Sequence, residues 1–277
     1  MRSFRPNTRA APEPMTTIHH REEVMGTVVT IDVFAEVFMA VDKNVPGLSR
    51  ARAILQQADA VFSTWLADSP MSRLRRGEIT LDQAPPEVTQ VLRLCATARE
   101  ITDGWFDPWA MPGGIDPTGY VKGWAAQHAL DALVSNEFSG AMVNAAGDIA
   151  SFGGPDSATP FRVGIVNPSS PCDLLCIVEL VGAIATSGTY ERGDHLIDPR
   201  SGRPQTRVAS ASVTGPDLGL ADALATGLVV AGEAHLSFIE RLEGYEALLV
   251  GFDGIIHWTE HFPFASPGLR SSDHPIR

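Results

Sequence analysis

Strand-like and helix-like patterns alternate along this chain, and many of the segments that join them are too short to carry a crossover between parallel strands. Residues 25–34 alternate β-branched and apolar side chains, which predicts a strand. Ser49 can then begin a helix whose apolar side chains recur at helical spacing as far as Phe62. We therefore predict a mixed α+β fold built from hairpins and helices, and not a doubly wound parallel sheet.

The same patterns continue to the end of the chain. Further strands are predicted at 141–149, 161–166, 174–180, 208–214, 247–252 and 254–260, and further helices at 86–103, 122–136, around Asp222 and at 234–242. The segments GIVNP and GFDG lack the glycine spacing of a dinucleotide-binding turn. We therefore predict no Rossmann fingerprint in this sequence.

Charge and cysteine content narrow the classes of function. The chain has 277 residues and a formal net charge of −12, so a surface that follows the phosphates of a nucleic acid is excluded. A bound phosphate would need local help from a cation, a helix N-terminus or a few basic side chains. The cysteines, Cys95, Cys172 and Cys176, have neither an even count nor zinc-binding spacing, which favours a reducing compartment. Cys95 is predicted to be a small core residue.

The ends of the chain indicate a domain with short extensions. The N-terminal segment carries arginines but no apolar stretch typical of a signal peptide, and no apolar run approaches the roughly 18 residues that span a bilayer. We expect a cytoplasmic location. Residues 1–17 are predicted to be a disordered leader, 18–265 the folded domain and 266–277 a C-terminal tail.

Two loops have the composition of ligand-binding segments. Residues 104–123 are rich in glycine and proline, which predicts irregular structure, yet they contain aromatic and acidic side chains. They lead into the N-terminus of the next predicted helix, where Lys122 and exposed amides would favour a phosphate or an acidic ligand. Residues 183–204 combine hydroxyl groups and charges with His195, for which a catalytic or ligand role is as well supported as a structural one.

The stretch GLADALATG, residues 219–227, has two interpretations. If it is helical, Asp222 and Thr226 lie four residues apart on one face, and their oxygen atoms suit a hard cation such as Mg²⁺. Alternatively the stretch is an ordinary helix N-terminus, with the carboxylate of Asp222 placed favourably in the first turn.

Seven segments occur in the order in which one enzyme family carries them. They are MGT, FSTW with the following SxxSRL, GWFDP, IDPTGYVKG, VNAAGDI, ATSGTYERGDHLIDPRSGRP and ADALATG. From about Met25 to Phe262, the chain strongly resembles the ApbE family, the FAD:protein FMN transferases. The resemblance implies a single mixed α/β domain with an internal duplication, FAD as a substrate and Mg²⁺ as a cofactor.

The resemblance also assigns roles to individual positions. Those that match the family's FAD-lining positions are Met25, Trp65, Trp105, Phe106, Asp107, Asp116, Lys122 and Ile197. Asp222 and Thr226 match metal-binding side chains, and Gly119 matches a backbone carbonyl that reaches the same ion. His195 matches the histidine proposed to act in transfer.

This chain differs from the family pattern in three places. Only residues 109–115 remain of a segment that is usually long, so the cover over the nucleotide is expected to be incomplete or supplied by other residues. Ala146 stands where the family usually has the first of two glycines. Pro70 and Arg75 replace a common glutamate and asparagine. None of these differences removes a metal or histidine position.

The function implied by the resemblance is transfer of FMN from FAD to a threonine or serine hydroxyl of an acceptor flavoprotein, with release of AMP. Phosphoryl transfer depends on positioning and on neutralising phosphate charge, which a metal and a histidine base can supply. Two alternatives remain: an FAD pyrophosphatase, in which water replaces the hydroxyl, and a flavin-binding protein without turnover. Simple flavin retention needs neither the metal pair nor His195.

Overall fold

A computed structural model of the chain describes residues 15–36, 45, 47–134, 138–156, 159–189, 196–205 and 207–265. The strands are β1 (Met15–Val24), β2 (Thr27–Glu36), β3 (Gly140–Ala145), β4 (Asp148–Gly153), β5 (Phe161–Asn167), β6 (Ser170–Leu180), β7 (Ala183–Gly188), β8 (Ile197–Asp198), β9 (Arg203–Pro204), β10 (Val208–Gly215), β11 (Glu246–Gly251) and β12 (Ile256–Trp258). The α-helices are α1 (Leu48–Phe62), α2 (Pro70–Arg75), α3 (Pro86–Ile101), α4 (Thr118–Asp131), α5 (Leu218–Ala231) and α6 (Ser237–Glu240), with short 3₁₀ turns at Leu81–Gln83, Pro108–Ala110 and Glu233–His235. Within the ranges described, none of the helices is long and apolar enough to cross a membrane.

The central sheet has eight antiparallel strands in the order β1-β2-β3-β4-β7-β10-β11-β12. Its two halves share one connectivity. In the first half, the β1–β2 pair is followed by helices and then by the β3–β4 pair; in the second half, the β7–β10 pair is followed by helices and then by the β11–β12 pair. The halves join where β4 pairs with β7. The predicted mixed α/β fold is therefore confirmed, and the shared connectivity of the halves agrees with the predicted internal duplication.

Helix α5 lies at the centre of the helical layer. It packs against α4, β7 and β10, and nearly all of its residues are buried, as expected for a helix that is apolar on all sides. Two glycines allow α4 and α5 to cross closely. A Cβ atom on Gly123 would lie 2.5 Å from the carbonyl oxygen of Leu218, and one on Gly219 would lie 2.8 Å from Cε1 of Tyr120.

The other face of the sheet is covered by the β5–β6 ribbon. Its apolar side chains form a second, smaller core with side chains from β4, β7 and β11. Strand β10 is buried along its whole length because it lies in the middle of the second half of the sheet. Cys95 is fully buried, as predicted, and burial raises the pKa of its thiol to about 12.

Several boundaries differ from the sequence predictions. The leader boundary at residue 17 is wrong, because the edge strand β1 already begins at Met15. The loop predicted over 183–204 begins with the strand β7, whose polar and small residues gave no strand signal. Residues 266–277, the predicted tail, and most of the predicted leader lie outside the described residues.

Three predictions about where helices lie also need correction. Residues 118–123 belong to α4 and not to an irregular loop, since Pro117 directly precedes a helix that tolerates Gly119 and Gly123. The helix predicted at 234–242 is only a 3₁₀ turn followed by the single turn α6. Helix α2 is missing from the helices predicted above; it begins at a proline and is capped by the side chain of Ser69.

The β1–β2 hairpin is linked to α1 by hydrogen bonds to one carboxylate, that of Glu22. Glu22 contacts Nε2 of His20 at 2.8 Å and accepts hydrogen bonds from Nε of Arg52 at 2.9 Å and from Nε2 of Gln56 at 2.6 Å. These bonds, that of His20 first, lower the pKa of Glu22 to about 2. Since the folded-state pKa lies below the ordinary value of 4.5, the stabilisation is complete above that value and is lost as the pH falls from 4.5 towards about 2.

Replacing Glu22 by glutamine is expected to lower the free energy of unfolding by about 1 kcal/mol at pH 7, because the charge-assisted bonds are lost. The difference from the wild type should vanish near pH 2. Urea denaturation at several pH values measures it. Glu23→Gln is the control, because the side chain of Glu23 is 78% exposed. Equal losses in both variants at pH 7 would show that Glu22 is an ordinary surface charge.

Candidate functional site

The predicted metal-binding residues lie together where α4, α5 and β7 meet. Thr226 Oγ1 lies 3.0 Å from Oγ of Ser187, near the end of β7. A Cβ atom on Gly119 would lie 3.7 Å from the same Thr226 oxygen and 3.3 Å from Cε2 of Phe106. Asp222 lies one helical turn before Thr226 and is 4% exposed. The structure therefore brings Asp222, Thr226 and Gly119 together.

The chemistry of these donors fits a magnesium ion. A carboxylate, a hydroxyl and a backbone carbonyl are hard oxygen ligands, and Mg²⁺ commonly takes one or two carboxylates and completes its shell with water and phosphate. A side chain at position 119 would fill the space beside Thr226. The part of the chain that the structure describes has no group of three or more His, Cys, Asp or Glu suited to a metal. A metal here would therefore depend on one carboxylate and neutral oxygens.

The alternative interpretation of Asp222 as a first-turn residue is wrong. Helix α5 begins at Leu218, and its N-cap is Asp217, whose carboxylate accepts the amide of Leu220 at 2.7 Å. Asp222 therefore lies in the second turn and is buried. Its position is not explained by helix capping.

Lys122 forms an ion pair with Asp148 at the start of β4. Asp148 is 1% exposed, and its Oδ1 accepts the amide of Thr186 at 3.0 Å. The hydroxyl of Thr186 in turn lies 2.8 Å from that of Ser212. Sequence reasoning assigned Lys122 to an anionic ligand, but much of its charge is already balanced by a buried carboxylate. Asp148 and Ser187 were missed, although they lie in the motifs VNAAGDI and ATSG.

Two hairpin turns lie at the same end of the strands as the ion pair between Lys122 and Asp148. Met25 has φ 53° before Gly26, and Ala146 has φ 54° before Gly147, so each turn places a non-glycine residue in the left-handed region. The pairing of Val29 with Ala145 puts the two turns side by side. A non-glycine residue in this region costs roughly 1 kcal/mol, so a glycine at position 146 would relieve strain in that turn.

The two other aspartates predicted to line FAD, Asp107 and Asp116, each form an ion pair with an arginine. Asp116 contacts Nη1 of Arg75 at 3.1 Å, and its other oxygen accepts the hydroxyl of Thr118 at 2.7 Å. Asp107 contacts Nε of Arg99 at 2.7 Å and caps the short turn that follows it. Both carboxylates therefore organise the segment between α3 and α4, and their contact with FAD stays a prediction.

The predicted aromatic residues differ widely in exposure. Trp105 and Phe106 are 5% and 4% exposed, whereas Trp65 is 94% exposed. The guanidinium carbon of Arg200 lies 3.6 Å from the ring centroid of Trp105. Trp105 thus packs under the β8–β9 hairpin, to which the half-buried Ile197 belongs. His195 lies outside the described residues, between Thr189 and Leu196.

Arg200→Ala is expected to loosen this hairpin, because the cation–π contact and a hydrogen bond of 3.3 Å to the carbonyl oxygen of Asp103 are lost. We expect a loss of about 1–2 kcal/mol in unfolding free energy. We also expect faster amide exchange over residues 196–205. The control is Arg203→Ala, an exposed residue of the same hairpin. Equal effects of both substitutions on exchange would contradict the role of Arg200.

The model of the ApbE family matches residues 25–114 and 109–249. The chain belongs to the ApbE family. The second matched range includes α4, α5 and β7.

Curated relatives in the ApbE family are named FAD:protein FMN transferase. The one from Rhodobacter capsulatus is 32% identical over 206 residues, which cover 68% of this chain and 38% of that protein. The one from Vibrio cholerae is 36% identical over 132 residues, which cover 43% of this chain and 39% of that protein. The matched region thus spans less than half the length of these relatives.

Solved structures of ApbE proteins share the fold. Flavin transferase ApbE from Vibrio cholerae aligns with a TM-score of 0.76 and 22% identity over 89% of this chain and 97% of that chain. Flavinyl transferase ApbE from Pseudomonas stutzeri, in its apo form, aligns with a TM-score of 0.74 and 21% identity over 90% of this chain and 96% of that chain. At these identities the likeness establishes the fold alone.

Proposed function

We propose that this protein transfers the FMN part of FAD to a threonine or serine hydroxyl of an acceptor flavoprotein and releases AMP. The observation that supports this most is the convergence of Asp222, Thr226 and Gly119 at the junction of α4, α5 and β7. Membership of the ApbE family supports the choice of FAD as the substrate.

In the proposed reaction, the acceptor hydroxyl oxygen forms a bond to the phosphorus on the riboflavin side of the pyrophosphate. The bond from that phosphorus to the bridging oxygen breaks, and AMP leaves with that oxygen. The hydroxyl proton passes to a base. A Mg²⁺ ion held by Asp222, Thr226 and the carbonyl of Gly119 would neutralise charge on the phosphate oxygens. No covalent intermediate with the enzyme is needed.

His195 is proposed to be the base. In the sequence it follows β7, the strand that brings Ser187 to Thr226. An ordinary histidine has a pKa near 6.5, so its neutral form can accept a proton at physiological pH. The proposed FAD-lining residues, other than the metal-site residues, are Met25, Trp65, Trp105, Phe106, Asp107, Asp116, Lys122 and Ile197.

The test is incubation with FAD, Mg²⁺ and a candidate acceptor, followed by measurement of AMP and of flavin fluorescence on the denatured acceptor. Transfer predicts acceptor-dependent AMP and covalent flavin in equal amounts. AMP without covalent flavin would identify a pyrophosphatase instead. FAD binding without AMP would identify a flavin-binding protein.

His195→Ala separates the proposed base from a supporting role. We expect it to bind FAD with unchanged affinity, by calorimetry, and to lose single-turnover transfer by a factor of about 10²–10⁴. The wild-type rate should rise with pH through about 6–7. Wild-type transfer in the variant would rule out the catalytic role. Parallel loss of FAD affinity and thermal stability would indicate a supporting role.

A further inference from the structure

Arg75 connects α2 to the segment that leads into α4. Its guanidinium donates to the carbonyl oxygen of Pro112 at 3.1 Å and to that of Gly113 at 3.3 Å, and contacts Oδ2 of Asp116 at 3.1 Å. The side chain is only 15% exposed, although α2 is a short surface helix. A single arginine thus contacts three residues of the connection formed by residues 112–116.

Besides Arg75, this connection is anchored by Ile115, which packs against the main core. Gly113 and Gly114 have φ of 82° and 100°, and residues 112–114 are exposed. The backbone bonds found within the segment are those from Gly114 to Met111 and from Asp116 to Pro108. Because glycine loses more conformational entropy than other residues on ordering, this segment depends on contacts from outside.

The contact with Asp116 extends the effect to α4. Oδ1 of Asp116 accepts the amide of Thr118 at 3.1 Å and its hydroxyl at 2.7 Å. The next residue is Gly119, which lies against Thr226. The path from Arg75 through Asp116 to the first turn of α4 therefore ends at the candidate metal site.

We propose that Arg75 is a positioning residue for nucleotide binding, which acts through Asp116 to fix the 112–116 connection and the first turn of α4. This inference rests on the proposed function for the identity of the nucleotide. Arg75 acts by its forked geometry, since three acceptors in different directions match a planar guanidinium and not a lysine ammonium.

The experiment compares Arg75→Gln and Arg75→Lys with Arg73→Gln. Arg73 lies on the same helix, 46% exposed, and contacts Glu78 at 3.9 Å. Without acceptor, we expect Arg75→Gln to weaken FAD binding about tenfold and Arg75→Lys nearly as much, with Arg73→Gln unchanged. Amide exchange over 112–118 should rise only in the Arg75 variants. With acceptor, KM for FAD should rise while kcat stays within about twofold.

The double variant Arg75→Gln/Asp116→Asn distinguishes positioning from direct contact with phosphate. If Arg75 acts in large part through Asp116, removing it should have clearly less than the tenfold effect once Asp116 is asparagine, because only its bonds to the carbonyl oxygens of Pro112 and Gly113 are then left to lose. A full tenfold effect in that background would overturn the proposal, as would equal exchange in the Arg75 and Arg73 variants. If the unmutated protein binds FAD but transfers no FMN, that result contradicts the proposed transfer reaction and leaves the role of Arg75 in binding intact. If the protein does not bind FAD, amide exchange over residues 112–118 in the Arg75 and Arg73 variants still tests whether Arg75 fixes the connection.

Discussion

Asp222→Ala is expected to lower the rate of flavin transfer by about 100-fold or more at saturating Mg²⁺, since several kcal/mol of charge stabilisation are lost with the site's carboxylate. FAD affinity should also fall, but only when Mg²⁺ is present. Single-turnover transfer and FAD titrations with and without EDTA measure both effects. The dependence on Mg²⁺ separates a metal ligand from a residue that merely supports α5.

Two further variants serve as controls. Thr226→Val should be milder, roughly tenfold, because a neutral hydroxyl is a weaker ligand than a carboxylate. Asp131→Ala removes an exposed carboxylate of α4 whose contact is with Gln127 at 3.1 Å, and it should leave transfer unchanged. Full activity of Asp222→Ala in EDTA would contradict the metal assignment.

Lys122→Met is expected to cost roughly 3 kcal/mol of unfolding free energy, because it leaves the buried carboxylate of Asp148 without its ion-pair partner. Lys122→Glu would place two carboxylates together, so its effect on FAD binding could not be separated from unfolding. Thermal and denaturant unfolding of Lys122→Met measure the loss. Arg162→Met is the control, since its pair with Glu179 is exposed and should contribute about 0.5 kcal/mol or less.

Restoring charge balance should recover part of this loss. In Lys122→Met/Asp148→Asn, asparagine can still accept the amide of Thr186, and the uncompensated charge is gone. We expect the double variant to be at least about 1 kcal/mol more stable than Lys122→Met. An equally unstable double variant would show that Lys122 stabilises the fold by packing and not by its charge.

Features fixed by local pattern could be predicted from the sequence. The spacing of Asp222 and Thr226 and the high helix propensity around them were enough to place two oxygens on one helical face. Helix α3 could be predicted within a few residues because Pro85 and Pro86 mark its start and its apolar stripe is regular. These features depend on neighbours in the chain.

Features that depend on distant contacts could not be predicted. Ser187 and Asp148 acquire their roles only when β7 pairs between β4 and β10. Strand β7 has hydroxyl and small residues, and its strand conformation comes from the sheet around it. Gly119 and Gly123 argue against a helix locally, but the close packing of α5 compensates for them.

The most direct test of flavin transfer is a single-turnover reaction with FAD, Mg²⁺ and a purified acceptor flavoprotein, followed by intact-protein mass measurement and quantification of AMP. The predicted result is one FMN added to one threonine or serine of the acceptor for each AMP released. An acceptor in which that residue is replaced by valine should gain none. AMP released at the same rate without any FMN on the acceptor would contradict transfer.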